Sequence, residues 1–539
     1  MTKPSNLQCF TDLSSYHQLK QHFNCCSKLH MRRLFSVDRN RYQRMSLEFD
    51  WLLLDYSKNR VTDKTLQLLF SLAREANLER SISNTSEAIT QRIPNDPSTI
   101  FACEQGQRIR QLTEQLHSGT WLGHSHKPIT DIVNIGIAHS RLGSQSVCEA
   151  LRPYHQCKQV GMHFIADCDG LHLQDVLENL NPETTVFIVS SQGFDQSNPS
   201  TLTQAETAKR WLLNANPNSS ALMTHFLAVT ANTAAAKRFG IQSSNIFQLK
   251  TIANQRQTAW ISIGLPILLS IGAKHFQAFL AGVSAMDAHF QTERFEQNMP
   301  VIMALIGIWY NNFFKTESHA ILPYDYNLRN LPRCIEQIDM QNNGKSIDRL
   351  GNLVNFATSP IIWSSNGSTD QHAFYQMLHR GQKIVPADFI VSMRTHSVYQ
   401  KQHHLMFANA IAQTEALMQG RTRNETLNDL TLSDASNDEN IISQRTYDGN
   451  NPSNMLLLQR LTPKSLGILL TLYEHKTFAQ GAIWNLSDYE QTGLELSKTF
   501  SSHVLQDIFM PANTQRHDAS TNALINHYRK AIYPRSSAT

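Results

Sequence analysis

The sequence predicts an α/β fold with parallel β-sheets. From about residue 132, short apolar runs rich in β-formers alternate with stretches of helical periodicity. Strands that alternate with helices favour a parallel sheet covered on both faces, and ligands of such sheets bind beyond the carboxyl ends of the strands. The strand candidates of this first unit are residues 132–137, 163–166, 185–189 and 225–229, with helices that include 205–213 and 231–239.

A second α/β unit is predicted from about residue 320 to residue 496. Its strand candidates are residues 360–363, 384–391 and 483–486. The stretch 421–443 is rich in Asn, Asp, Thr and Ser, which is typical of a surface loop. A long helical stretch, 257–314, precedes the second unit and is interrupted by Gly264 and Gly272.

The N-terminal part is expected to be mainly helical, because segments such as 66–76 and 108–116 place apolar residues at helical spacing. The sequence therefore predicts four regions in chain order. They are a helical N-terminal region (1–120), a first α/β domain (121–290), a second α/β domain that carries the polar loop (291–510) and a C-terminal tail (511–539).

Composition argues against several classes of protein. Hydrophobic residues make up 41% and charged residues 17% of the chain, as in soluble globular proteins. The 48 basic residues are dispersed at a net charge of +4, so nucleic-acid binding is not expected. The eight cysteines show no zinc spacing, which indicates free thiols in a reducing compartment. The N-terminus has no apolar run of a signal peptide, and the apolar stretch 299–314 is short for a membrane span, so a cytoplasmic protein is expected.

Four features could carry chemistry, and each has an ordinary alternative. The turn 136–140 follows a strand candidate and precedes a helix, which suits an anion or is a plain strand–helix turn. Ser190 and Ser191 end another strand candidate and offer hydroxyls to a phosphate, although such turns are common. His379 lies in a helical segment, where a histidine is more often structural than catalytic. Lys498 has the ordinary alternative of a solvated surface charge.

Several motifs resemble the phosphoglucose isomerase (glucose-6-phosphate isomerase) family, in that family's order and over nearly the whole chain. They are ALIGIWYNNFF (304–314), AILPYD (320–325), NNGKS (342–346), QHAFYQMLHRG (371–381), AQTEAL (412–417), LYEHKTFAQGAIWN (472–485) and QTGLELSK (491–498). The resemblance implies two sugar-isomerase (SIS-type) α/β domains. It also implies a homodimer with its sites at the subunit interface and an activity on sugar phosphates that needs neither metal nor cofactor.

The resemblance also assigns residue roles. His379 matches the family's ring-opening histidine, and Lys498 matches the lysine that assists it. Arg256 aligns with the arginine that stabilises the enediolate, and Gln491 with a glutamine of the site. Ser140, Ser191 and Thr201 are the expected substrate-binding hydroxyls. Such chemistry needs a ring-opening proton shuttle, a base that moves a proton between C2 and C1, and a cation beside the developing charge.

Other ligand-facing positions depart from the family pattern. Two glycines before the arginine are Asn254 and Gln255 here, and His139 replaces a glycine of the Gly-Gly-Ser turn. The usual Ser-Lys-Thr/Ser-Phe of the phosphate loop reads Ser-Gln-Gly-Phe (191–194) and is followed by Asp195 and an apparent insertion that ends at Thr201. A basic group and a hydroxyl are thereby lost, although Thr201 or Thr203 could restore the hydroxyl.

The largest departure is Ser365, which stands where the family keeps the glutamate that moves the C1/C2 proton. A serine hydroxyl is not a base near neutral pH. Three hypotheses follow from the sequence. The first is an isomerase that stays active, through Asp370, Glu495 or a water. The second is an impaired or inactive member that keeps the fold, the dimer and sugar-phosphate binding. The third is a member with a shifted sugar substrate.

Overall fold

The computed structural model describes eleven stretches of the chain. They are residues 9–84, 104–136, 139–165, 169–194, 199–218, 220–249, 255–365, 371–432, 439–487, 492–510 and 515–533. The chain divides into two compact units, Met1–Leu486 and Ser487–Thr539. Both β-sheets belong to the first unit.

The first sheet is fully parallel and has the order β4-β3-β5-β6-β7. Its strands are β3 (Asp131–Gly136), β4 (Gly161–Ile165), β5 (Thr185–Ser190), β6 (Phe226–Thr230) and β7 (Ile246–Gln248). All six residues of β5 are buried, as expected for a central strand covered on both faces. The four strand candidates of the first unit are confirmed, and the sheet gains the short edge strand β7.

The second sheet has the order β1-β2-β11-β10-β8-β9. Its strands are β1 (Ser46–Phe49), β2 (Leu52–Asp55), β8 (Ser318–Pro323), β9 (Ile361–Ser364), β10 (Ala387–Arg394) and β11 (Ser453–Arg460). Strands β8 to β11 are parallel, whereas β1 and β2 form an antiparallel hairpin on one edge. The sequence did not predict this hairpin, because β2 reads as an uninterrupted Leu-Leu-Leu run that periodicity cannot distinguish from a buried helix.

Helices pack against both sheets and make up most of the described N-terminal region, apart from β1 and β2. In the first half of the chain they are α1 (Ser14–Cys26), α2 (Met31–Val37), α3 (Arg41–Arg44), α4 (Asp63–Glu75), α5 (Glu104–Ser118), α6 (His139–Ala150), α7 (Gly170–Glu178), α8 (Pro199–Ala215), α9 (Ala221–His225) and α10 (Thr233–Phe239). In the second half they are α11 (Gln255–Thr292), α12 (Met299–Ile308), α13 (Leu331–Asn343), α14 (Gln371–Arg380), α15 (Gln400–Gln419), α16 (Arg423–Leu432), α17 (Glu439–Arg445), α18 (Pro463–Ile483), α19 (Thr492–Phe509) and α20 (Ala519–Ile532).

Two sequence predictions in the second half are wrong. The strand candidate 483–486 belongs to the end of α18 and the turn after it, because α18 is an apolar helix buried on nearly all sides. The polar stretch 421–443 was predicted as a loop but contains α16 and the start of α17, which bury Leu430 and Ile442. Strands β8 and β11 were not among the predicted strands.

The core of the first unit is built around the long helices α11 and α18. Helix α18 begins with a capping box, in which the Thr462 side chain bonds the Ser465 N–H and the Ser465 side chain bonds the Thr462 N–H. Helix α11 is broken only at Gly272, where φ is +77°; Gly264 does not interrupt it. In the described stretches, Gly264–Thr292 is the one helix long and apolar enough to cross a membrane, and 61% of its apolar window is buried inside the protein.

Candidate functional site

The first sheet edge at which the sequence predicts ligand binding lies where β3 and β5 end side by side. Gly136 pairs with Ser190 in the register of these strands. The next strand after β3 in sequence, β4, lies on one side of β3, whereas the following strand, β5, lies on the other side. The direction in which successive strands are added therefore reverses between β3 and β5. A crevice at such a reversal is the usual ligand site of an open parallel sheet. Ser140 is the second residue of α6 beside this reversal, and its side chain lies outside the described part, as does that of His139.

The turn after β5 is held tightly by hydrogen bonds. The Phe194 N–H donates to the Ser191 Oγ (3.1 Å), and the Gln192 carbonyl accepts from the Thr230 hydroxyl and the Ala231 N–H (both 3.1 Å). Phe194 has φ +50°, which is unusual for a bulky residue and is fixed here by burial of its ring. The Ser191 Oγ keeps its own proton to donate, whereas Asp195 lies outside the described residues.

Thr201 offers a second hydroxyl near this edge. It lies in the first turn of α8, the helix that follows β5, and is only 2% exposed. Its Oγ1 is buried and has no hydrogen-bond partner among the described residues. Because a buried hydroxyl without a partner is costly, such an atom indicates a missing acceptor or donor at that point. Thr203, the alternative from the sequence, is exposed to solvent.

Ser365 lies at the corresponding edge of the second sheet. It follows β9 directly, and the last residue of that strand, Ser364, pairs with Ile321 of β8. Ser365 is half-buried. Trp363 packs edge-on against Phe374 of α14 (5.6 Å between ring centroids), which fixes the strand end against the next helix. Asp370, one of the acids considered as a substitute base, lies outside the described residues.

A buried pair of tyrosines fixes the start of α14. The hydroxyl of Tyr324, just beyond β8, lies 2.5 Å from the hydroxyl of Tyr375 in α14. Burial raises the pKa of Tyr324 to about 12, and burial together with the neighbouring hydroxyl raises that of Tyr375 further. Both phenols therefore stay neutral and act as hydrogen-bonding anchors. Both residues lie inside motifs quoted above, but nothing in the sequence indicates that their hydroxyls meet.

His379 lies in the last turn of α14 and is half-buried. Its Nε2 lies 3.2 Å from the Gln413 Oε1 of α15, so Nε2 carries the proton in this arrangement. The ring also lies near those of Tyr375 (5.7 Å) and Tyr447 (6.3 Å). Gln413 was not predicted as a site residue, although it lies within the motif AQTEAL.

The structure does not bring Ser365 and His379 together within one chain. Ser365 follows the carboxyl end of β9, whereas α14 runs back toward the amino ends of the strands before β10 begins. His379 lies about 12 Å along that helix from its first residue. Its neighbour Arg380 bonds the carbonyls of Ser443 and Gln444, in the segment that leads into β11. The two residues therefore lie at opposite edges of the same sheet.

The other predicted site residues are only partly described. Arg256 is the second residue of α11, and its side chain lies outside the described part. Asn254 and Gln491 lie outside the described residues, and the same holds for the side chains of Gln255 and Glu495. Lys498 is exposed on α19 of the second unit. Over the described part of the chain, no group of three His, Cys, Asp or Glu residues could hold a metal ion.

Comparison of folds supports the predicted class. The crystal structure of a glucose-6-phosphate isomerase from Chlamydia trachomatis is similar to this chain with a TM-score of 0.81 and 24% sequence identity, and the match covers 97% of this chain and 100% of that one. With the two observed sheets, this likeness confirms the predicted fold, a pair of SIS-type α/β units with helical extensions.

Sequence comparison identifies the family. The sequence model described as "Phosphoglucose isomerase" matches residues 91–525. Glucose-6-phosphate isomerase 2 of Chromobacterium violaceum is 42% identical over 95% of this chain and 96% of its own length. Glucose-6-phosphate isomerase of Shewanella oneidensis is 43% identical over 93% of this chain and 96% of its own length. The chain belongs to the phosphoglucose isomerase family, and the enzyme class expected from its motifs is confirmed.

Proposed function

We propose that this protein interconverts glucose 6-phosphate and fructose 6-phosphate through a cis-enediol intermediate, at a rate far below that of a complete family member. The observation that carries the proposal is Ser365 at the position of the family's catalytic glutamate, at a strand end that otherwise keeps the expected environment. Loss of a general base typically reduces a rate about 10²–10⁴-fold. A protein that only binds sugar phosphates, or one that acts on another sugar, is the alternative.

The proposed roles follow the chemistry of the reaction. His379, assisted by Lys498, moves the proton that opens the sugar ring. Arg256 stabilises the negative charge of the enediolate, and Gln491 contacts the sugar. Ser140, Ser191 and Thr201 bind the phosphate. The Ser191 Oγ accepts one hydrogen bond, and the buried Oγ1 of Thr201 has no partner within the described stretches; both observations support phosphate binding by these two residues. Binding the phosphate supplies energy remote from the reacting carbons.

We further propose that the site is completed by a second copy of the chain. Ser365 and His379 lie at opposite edges of one sheet, so a single copy cannot place both on one sugar. A homodimer can, if the His379 edge of one copy faces the Ser365 edge of the other. A cytoplasmic location and a need for neither metal nor cofactor remain part of this proposal.

The test is a coupled assay of purified protein with fructose 6-phosphate. Three proteins are compared: the natural chain, Ser365→Glu and Ser365→Gln. We expect Ser365→Glu to raise kcat/KM at least tenfold, because it restores a carboxylate, and Ser365→Gln to leave it unchanged, because an amide of the same size is not a base. A natural chain with kcat/KM within tenfold of the Shewanella oneidensis relative would contradict the proposal.

Calorimetry separates the alternatives. The proposal and the binding-only alternative both predict that glucose 6-phosphate binds more tightly than glucose. Only the proposal predicts slow turnover of the natural chain and a gain with Ser365→Glu. Tighter binding of the unphosphorylated sugar would instead favour a shifted substrate.

A further inference from the structure

A second polar cavity lies in the first unit, away from the reversal between β3 and β5. Its volume is about 340 Å³. It opens beside the far strands of the first sheet, where Thr233 begins α10 after β6 and Gln248 ends β7. Two strand spacings, about 10 Å, separate β7 from β5, the strand that carries Ser191.

Arg108 forms one wall of this cavity. The guanidinium lies over the ring of Phe247, with its central carbon 5.2 Å from the ring centroid. Its Nη2 is buried and has no hydrogen-bond partner in the part of the chain that the structure describes. A charged N–H that is removed from water without a partner is costly, so a native structure that keeps one indicates an anion or a water at that point.

A second cation and two hydroxyls face the same space. Lys237 of α10 lines the cavity opposite α5, together with the hydroxyls of Thr233 and Ser243. Glu104 is the one acid among the described lining residues, against the two cations Arg108 and Lys237. The cavity therefore holds a net positive charge, and a forked guanidinium beside a mobile ammonium is a common way to bind a phosphate group.

We propose that this cavity is a second anion site, which binds a phosphate group through Arg108 and Lys237. Free phosphate and the phosphate of a small ester share this chemistry. Gln248, which lines this cavity, precedes Arg256 of the proposed catalytic centre by only a few residues. A phosphate bound in the cavity would therefore lie close in sequence to a residue of that centre. The proposal does not depend on isomerase activity.

The test is equilibrium dialysis of the full chain with labelled inorganic phosphate at low ionic strength, where screening is weak. Lys237→Gln is compared with Arg238→Gln, a matched control, because both residues are exposed neighbours on α10 and only Lys237 lines the cavity. We expect Lys237→Gln to weaken phosphate binding at one site per chain at least tenfold. Arg238→Gln should stay within twofold of the natural chain. Equal binding by the two variants would overturn the proposal.

A second pair of variants tests the other wall. Arg108→Gln should remove one bound phosphate per chain, whereas Arg110→Gln, which changes an exposed arginine of the same helix paired with Glu114, should not. Phosphate bound at Ser191 would persist in all four variants. If Arg108→Gln lowers the melting temperature too far, the Lys237 comparison alone decides. Repeating the dialysis with methyl phosphate identifies the source: stronger binding than inorganic phosphate supports an ester ligand, and weaker binding supports the free ion.

Discussion

His289 shows how a single buried side chain sets the pH range of the fold. It is 8% exposed near the end of α11, and its Nε2 accepts the Met299 N–H (3.1 Å). Burial, with the neighbouring His475, lowers the pKa of His289 to about 4. In the unfolded chain the pKa returns to about 6.5. Between these values the unfolded state binds more protons, so stability falls as the pH falls from 6.5 toward 4.

The variant His289→Gln tests this linkage. We expect the free energy of unfolding of the natural chain to lose about 2–3 kcal/mol from this group between pH 6.5 and pH 4. The variant should be less stable at pH 7, because it loses a buried hydrogen bond, but its stability should change less over that range. Urea unfolding at four pH values measures the difference. Equal slopes for both proteins would mean that His289 is not the responsible group.

Single residues of the candidate site could be predicted from the sequence only where they lie in or beside a family motif. His379 lies inside the motif 371–381, and Ser365 lies between a strand candidate (360–363) and that motif, so their positions on a helix and at a strand end could be given in advance. The partners of these residues could not. Gln413 and the Tyr324 hydroxyl approach α14 from elements far away in the chain, and such contacts depend on tertiary packing, not on local pattern.

At the level of elements, helix α18 carries a buried ion pair. Lys476 and Asp339 of α13 are 2% and 1% exposed at their side chains, with Nζ and Oδ2 3.1 Å apart. Removing one partner of such a pair leaves a buried charge and typically costs about 3–5 kcal/mol. The exposed pair between Lys383 and Glu317 (2.9 Å) is a matched control, because exposed pairs contribute about 0–1 kcal/mol.

We therefore expect Lys476→Met to lower the free energy of unfolding by about 3–5 kcal/mol and Lys383→Met by less than about 1 kcal/mol. Chemical denaturation at pH 7 measures both. A similar cost for the two variants would show that the Asp339 carboxylate is adequately compensated by its bond from the Ser359 hydroxyl (2.9 Å) and does not need the lysine.

The break in α11 gives a second prediction at this scale. Gly272 has φ +77°, and a Cβ there would lie 2.9 Å from the Gln156 Cγ. Gly119 has a similar φ of +72° with nothing within 4 Å of such a Cβ. Gly119→Ala should cost about 1–2 kcal/mol from backbone strain alone. Gly272→Ala should cost about 1–3 kcal/mol more, because Gln156 must move. Thermal unfolding compares them, and equal costs would contradict a packing role for Gly272.

Strands at the centre of the first sheet could be predicted because they are short apolar runs between turn residues. The errors have two physical causes. Residues 483–486 and strand β2 are apolar stretches whose burial removes the periodic pattern that distinguishes a helix from a strand. In 421–443, the polar composition gave no sign of two short helices, whose buried apolar residues in the described part are Leu430 and Ile442.

For the whole molecule, the proposed two-copy site gives a complementation test. One chain carries Ser365→Glu with His379→Asn, and the other is the natural chain. Neither holds both groups of a complete site on one chain. If the site draws on two copies, mixed dimers contain one site with the introduced glutamate and the natural histidine, so co-expression should raise activity clearly above either protein alone. Activity no greater than the sum of the separate proteins would contradict a shared site.

The division of the whole chain could be predicted in part. Two α/β units with helical extensions follow from the alternation of strands and helices. The proposed boundaries at residues 120, 290 and 510 stay a prediction, since the second sheet recruits β1 and β2 from the N-terminal region and the compact units divide after Leu486. Long-range pairing of this kind leaves no local pattern in the sequence.

The central claim is that Ser365 has replaced the base that moves the C1/C2 proton. Exchange of that proton of fructose 6-phosphate with deuterium in the solvent, followed by NMR, isolates this step from ring opening. We predict slow exchange for the natural chain and for Ser365→Gln, and an increase of at least tenfold for Ser365→Glu. Rapid exchange by the natural chain, unchanged in Ser365→Glu, would contradict the account.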